Sequence, residues 1–242
     1  MVKKLTTLVS IFGAVLLSAQ TLHYKVYSPV IGKLGKITLK INESGDSYEM
    51  VGEAKTTGMA KMLTKKRRDK YISKGRIKNG KYISDKFIME KKNKKKKEIV
   101  EYSFDHKNRK VIKHKRRWKH GKQDKDSSKP LKYFASTDLA SLFHNAVLEL
   151  KPGTQKDYTT AGAEKIKGHV TVAMPSEKVA RNEKKALGVP QNLKIVHVSA
   201  KEEIEGKRNR TAIFAVDNSG VIHKGYLEAI PVVGKVYIEL KK

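Results

Sequence analysis

Not one of the 242 residues is a cysteine. A disulfide framework is therefore excluded, and so are a cysteine nucleophile, a thiolate metal site and a lipid anchor attached through an N-terminal cysteine. Acidic residues are scarce: 24 Asp and Glu face 53 Lys and Arg, a formal net charge of +29. Proline occurs six times and never in a cluster, so no Pro-rich linker marks a domain boundary. Beyond the N-terminus, no uncharged run approaches the roughly 20 residues that a membrane-spanning helix needs. The chain also lacks a Gly-x-Ser-x-Gly elbow, a phosphate-cradling glycine loop and any helix-turn-helix, zinc-finger or RNA-binding signature. A chain of this length buries roughly 70% of its unfolded surface and can fold without staples.

The N-terminus carries the clearest signal. Lys3 and Lys4 precede an uncharged apolar stretch from Leu5 to Leu17, and Ser18, Ala19 and Gln20 follow as a small, polar segment. This tripartite pattern predicts a secretory signal peptide over residues 1–19, too short to be a membrane span. Cleavage after Ala19 leaves Leu17 at the third position back, where a smaller residue is usual; an uncleaved N-terminal anchor is the alternative. The mature protein, residues 20–242, is expected to be a single β-rich domain in the periplasm, with no transmembrane span and at most peripheral contact with the membrane.

Period-two alternation dominates the mature chain. Ile37, Leu39 and Ile41 fall on one face of a strand, with Lys36, Thr38 and Lys40 on the other. Ser44-Gly45-Asp46 reads as a turn before a return strand at Tyr48–Ala54. Asn79-Gly80 is a hairpin signal between Lys70–Ile77 and Tyr82–Lys91. Glu98–Phe104 and Lys110–Trp118 pair next, so the chain up to about residue 120 is a meander of long hairpins. Gly121–Lys132 reads as a polar loop.

The period then changes. Leu139, Leu142, Phe143, Ala146, Val147 and Leu150 recur at three and four, a helix capped by Thr137 or Asp138 and ended by Lys151-Pro152-Gly153. Glu177–Leu187 is a second short helix, and strands fill the remainder. The expected fold is all-β: a curved antiparallel sheet or open β-barrel of ten or eleven strands with one or two helices. Two sandwiched sheets are the runner-up. One amphipathic helix after many strands packs against the sheet or plugs an open barrel.

The positive charge is concentrated. Residues 61–132 hold 29 Lys and Arg against 8 Asp and Glu, densest at Lys65-Lys66-Arg67-Arg68, at Lys94–Lys97 and at Lys113–Lys119. Part of this is structural, because one residue in two of a half-buried sheet faces water and edge lysines block edge-to-edge pairing. The surplus, Lys94, Lys95, Lys96 and Lys97 with Lys113, Lys115, Arg116 and Arg117, is the candidate site for an anionic ligand such as an envelope lipid or lipopolysaccharide. Nucleic acid ranks low, because export removes the protein from it.

Nothing in the sequence assembles a catalyst. The eight histidines are scattered; His114 and His120, some 20 Å apart along one strand, cannot share a metal. No cofactor and no catalytic residue are expected, with a periplasmic enzyme as the least favoured reading. Asp138 is better explained as a helix cap than as a general base. A scaffold whose basic face meets an acidic partner is the alternative to ligand binding.

A strand ending near Tyr27 leads to Ile31-Gly32-Lys33-Leu34-Gly35. It is followed, in order, by Gly75-Arg76-Ile77-Lys78-Asn79-Gly80, Phe104-Asp105, Thr137-Asp138-Leu139-Ala140-Ser141-Leu142-Phe143, Leu150-Lys151-Pro152-Gly153 and Tyr237-Ile238-Glu239-Leu240. In this order the chain resembles the domain of unknown function 3108 family of exported bacterial proteins over most of residues 22–242, departing from it in the lysine runs and around residues 121–130. The resemblance implies export and carries over no catalytic residue. By analogy it suggests a curved half-barrel similar to periplasmic lipoprotein carriers.

Overall fold

The computed structural model describes residues 17–163, 167–200, 210–230 and 233–241. The body of the expected signal peptide, residues 1–16, lies outside them. A first meander comprises β1 (Leu17–Ser28), β2 (Gly32–Ser44), β3 (Ser47–Thr56), β4 (Arg68–Lys78), β5 (Lys81–Lys92), β6 (Lys96–Asp105), β7 (Lys110–Lys119) and β8 (Lys122–Pro130), with a short helix α1 (Gly58–Leu63) between β3 and β4. Helix α2 (Leu139–Glu149) follows. The second meander is β9 (Thr154–Thr159), β10 (His169–Met174), β11 (Lys194–Ala200), β12 (Arg210–Val216), β13 (Ile222–Ile230) and β14 (Gly234–Leu240), with α3 (Glu177–Leu187) between β10 and β11.

All fourteen strands among the described residues belong to one antiparallel sheet in the order β8-β7-β6-β5-β4-β3-β2-β1-β14-β13-β12-β11-β10-β9. The first and last strands meet near its middle, with Tyr24 opposite Leu240 and Val26 opposite Ile238. The edges β8 and β9 stay unpaired with each other, so the sheet is open, as the sequence pattern leads one to expect. It has more strands than the pattern shows. Gly121–Lys132 is mostly the strand β8 rather than a loop. Strand β8 itself has no aliphatic or aromatic side chain and is exposed along nearly its whole length, as an edge strand wet on both faces can be. Strand β9 and helix α1 also lack a clear period.

The sheet curls around α2. Leu142, Ala146 and Val147 of the helix are buried against Val170, Val172 and Met174 of β10, Val196 of β11 and Val216 of β12. On its other side, Asn145 clamps the first meander: its side chain accepts from the Tyr82 N–H and donates to the Tyr82 carbonyl, both at 2.8 Å. Two halves of one sheet that contact the same helix enclose a concave face. Each fully buried aliphatic side chain there stabilises the fold by about 1.5–3 kcal/mol. The convex face of β11 and β12 is covered by α3, through Ala180 and Leu187 on Ile195, Ile213 and Ala215. Helix α3 ends at Gly188, whose φ of 65° is the left-handed conformation of a helix C-terminus.

Two hairpin details fix the register. Asn79 and Gly80 both have positive φ, 53° and 72°, as a two-residue turn matched to strand twist requires. At Gly75 the register of β4 on β5 shifts, and a Cβ there would stand 1.9 Å from the Ile83 carbonyl oxygen. Only glycine fits that bulge.

Candidate functional site

In an antiparallel meander every second turn returns to the same end. The β1–β2 turn, the β3–α1–β4 connection, the β5–β6 turn and the β7–β8 turn therefore share one end of the sheet, the end opposite the β4–β5 turn. This brings the three basic runs together. Arg68 lies opposite Lys92 in the ladder, and Lys96 opposite Lys119. The Lys94 N–H donates to the Lys65 carbonyl at 3.1 Å, and the His120 N–H to the Lys95 carbonyl at 2.8 Å.

The eight candidate residues do not form one surface. Lys94 and Lys95 occupy the turn, while Lys96 and Lys97 open β6 rather than extending the turn. Lys113, Lys115 and Arg117 share the concave side with their partners Tyr102, Val100 and Glu98; Arg116, out of phase, lies on the convex side. Several are engaged with carboxylates of their own or a neighbouring strand. Lys115 reaches Glu98 at 3.0 Å, Lys96 reaches Glu98 at 3.8 Å, Lys97 reaches Glu90 at 3.5 Å, Arg116 reaches Glu101 at 4.0 Å, and Arg117 reaches Asp124 at 2.9 Å. Hydrogen bonding from Arg117 holds Asp124 at about 2, so that pair stays ionised at any physiological pH. Lys113 lies 5.6 Å from the centre of the Tyr102 ring, and Lys97 5.7 Å from that of Trp118.

An apolar pocket opens at this same end. Its volume is about 470 Å³, and Val26, Ile31, Leu34, Ile37, Ala54, Ala60 and Val236 line it. Val26, Ile37, Ala54 and Val236 come from the inward positions of β1, β2, β3 and β14. Helix α1 and its C-cap form the opposite wall through Ala60 and Thr64. It is tied to β2 by a bond from the Thr57 N–H to the Leu34 carbonyl at 2.9 Å. Polar groups sit only at the rim. Thr56 and Thr64 hydroxyls lie 3.0 Å apart, and Arg67 binds Asp69 through both Nε (2.8 Å) and Nη2 (2.6 Å). The volume is within the roughly 300–1,000 Å³ of ligand pockets, and an apolar body with few polar groups is their usual composition.

Further along the same concave face of β1 and β2, a second cavity of about 300 Å³ lies under α2, among Leu22, Leu39, Met50, Phe143, His144 and Val221. His144 stacks on Tyr82 at 4.0 Å, Tyr82 stacks on Tyr48 at 4.1 Å, and the Tyr82 hydroxyl donates to Glu43. Burial pushes the His144 imidazole down and keeps it neutral. These residues carry no sequence motif, since their contact depends on the helix entering the barrel.

Beside them is a buried polar cluster. Asp138 caps α2, accepting from the Ala140 and Ser141 N–H groups at 2.7 and 3.1 Å. Its other oxygen accepts from the Ser73 and Ser84 hydroxyls at 2.6 and 2.8 Å. The Asp138, Ser73 and Ser84 side chains are all buried, and Asp138 does not line either neighbouring cavity, the one under α2 or the one beside Asn145. The cluster fastens the helix to β4 and β5. Four histidines pair singly with carboxylates: His106 with Asp85 at 3.4 Å, His114 with Asp126 at 2.6 Å, His197 with Glu183 at 2.8 Å and His223 with Asp217 at 3.0 Å. Among the described residues no three His, Asp or Glu side chains converge, and no helix is long and apolar enough to cross a membrane. A larger groove of about 840 Å³ on the convex side follows α3, but exposed polar residues such as Glu177, Arg181, Lys185 and Gln191 line much of it.

A family model described as "Protein of unknown function (DUF3108)" matches residues 21–240. Among solved structures, the chain is similar to a β-barrel-like protein of domain of unknown function DUF1849 from Brucella abortus. The TM-score is 0.56 at 10% sequence identity, over 95% of this chain and 98% of that one. That likeness concerns the fold alone. No curated protein matches the chain.

Proposed function

The chain belongs to the DUF3108 family, and from that premise we propose that it is an exported, non-catalytic binding protein of the periplasm that holds an amphipathic, anionic envelope component in its concave face. One observation carries this reading: the apolar pocket opens at the end of the sheet where the three lysine-rich runs converge. An acyl chain would fill the pocket, each buried CH₂ contributing about 0.8 kcal/mol. The anionic head would meet Arg67 and the lysines of the neighbouring turns. Lys113, Lys115 and Arg117 extend the positive field along the concave face.

Binding of a fluorescent fatty acid, and its displacement by phosphatidylglycerol, test the assignment. Ala54→Trp fills the pocket from β3 and should abolish binding. Lys40→Trp, on the outward face of β2, should leave binding intact. Equal binding by both variants would place the ligand elsewhere. A wild-type protein that binds no probe would favour the scaffold whose basic face meets an acidic partner.

A further inference from the structure

Five large hydrophobic side chains are exposed among the described residues, and the two most exposed are Val30, at 72%, and Met62, at 81%. Both sit beside the lining of the same opening and point into water: Val30 precedes the pocket residue Ile31 in the β1–β2 turn, and Met62 lies two residues beyond the pocket residue Ala60 on α1. Around them stand Lys33, Lys61, Lys65, Lys66, Lys94 and Lys95, all exposed. None of the six has an acidic partner within 4.0 Å among the described residues. Lysines elsewhere on this sheet do find partners, as at Lys74–Glu49 (2.7 Å) and Lys86–Glu101 (2.7 Å).

The backbone adds an independent observation. Helix α1 ends in the paired bonds of a Schellman motif, Lys66 N–H to the Lys61 carbonyl at 2.7 Å and Lys65 N–H to the Met62 carbonyl at 3.1 Å. The position after the helix cap in this motif is left-handed and is normally glycine. Here it is Lys65, with φ of 56°, and Lys66 follows with φ of 61°. Two consecutive lysines thus occupy a conformation that disfavours any side chain with a Cβ. Backbone strain of this kind persists where the surrounding structure over-determines it, often at functional sites.

We propose that the open end of the barrel docks on an anionic lipid bilayer, with Val30 and Met62 entering the interface and the six lysines meeting lipid phosphates. Two exposed apolar tips on segments rich in unpaired cations match the chemistry of such a surface: the tips gain from leaving water, and each lysine gains from the negative surface potential. A purely acidic protein partner would use the lysines but leave the two tips in water. The docking goes beyond the ligand reading and does not require the pocket to be filled.

The test is flotation of the mature chain with vesicles of phosphatidylcholine, with and without phosphatidylglycerol. The protein should float with the anionic vesicles only and be released by salt. Lys65→Gly with Lys66→Gly should weaken binding roughly 25-fold, at about fivefold per lysine. The same change should leave the thermal midpoint unchanged or raise it, because glycine suits the left-handed backbone. Met62→Asp should also weaken binding. Equal partition onto neutral vesicles, no partition at all, or unchanged affinity in the double-glycine variant would each overturn the proposal, as would a preference for soluble polyglutamate over vesicles. Ala54→Trp separates the two readings: it should eliminate fatty-acid binding while vesicle binding persists.

Discussion

Replacing Asp138 separates two forces that act on one buried carboxylate. Burial pushes its pKa above the ordinary 3.8, while the Ser73 and Ser84 hydroxyls and the Ser141 and Ala140 N–H groups pull it back; burial wins. The folded state therefore holds the Asp138 proton to higher pH than the unfolded chain does. Its contribution to stability is full below about 3.8 and is lost as pH rises through the folded value. Asp138→Asn keeps an acceptor for the two backbone N–H groups, and its amide can donate to the serine hydroxyls, but it has no charge to desolvate. Its stability relative to wild type should grow as pH rises from 4 to 8, by about 1.4 kcal/mol per unit of upward shift, other groups cancelling in the difference. Asp138→Ala removes the cap as well and leaves buried donors unmet, at a cost of about 2–4 kcal/mol. Urea denaturation of the three proteins across that range reads both effects. A wild type that gains on the Asn variant with rising pH would show that the four donors outweigh burial and would refute the argument.

Other perturbations test the frame around the site. Gly75→Ala should cost at least about 2 kcal/mol, because the 1.9 Å approach to the Ile83 carbonyl forces β4 and β5 apart; a urea midpoint unchanged from wild type would contradict the bulge. Asn145→Ala strips the Tyr82 backbone of both partners and should cost about 2–4 kcal/mol by thermal denaturation. Lys86→Gln breaks the exposed pair with Glu101 and should change stability by less than about 1 kcal/mol, since exposed ion pairs contribute little. A larger loss would mean that the cross-strand pairs act as a network.

Much of the fold was legible because its devices are local. Alternation marked Ile37, Leu39 and Ile41, Asn79-Gly80 marked a hairpin, and the spacing from Leu139 to Leu150 marked the helix with Asp138 as its cap. Strand β8 was not legible, because an edge strand exposed along its length needs no hydrophobic period, and six-residue α1 is too short to show one. The site was half legible. The three lysine runs and the meander were both evident, and together they imply convergence, since the turns after β3, β5 and β7 return to one end. The pocket was hidden because its walls come from residues far apart in the chain, Val26 and Val236 among them. The stack of His144 on Tyr82 was hidden for the same reason, as it depends on how α2 enters the barrel.

Mass spectrometry of what accompanies the protein tests the central claim most directly. The mature chain would be isolated from its native envelope fraction without detergent exchange and extracted with organic solvent, alongside Ala54→Trp prepared identically. A lipid or glycolipid with an anionic head, near one per chain in the wild type and absent from the variant, is the expected result. An empty, monodisperse wild type, or the same lipid content in both proteins, would contradict a ligand-holding concave face.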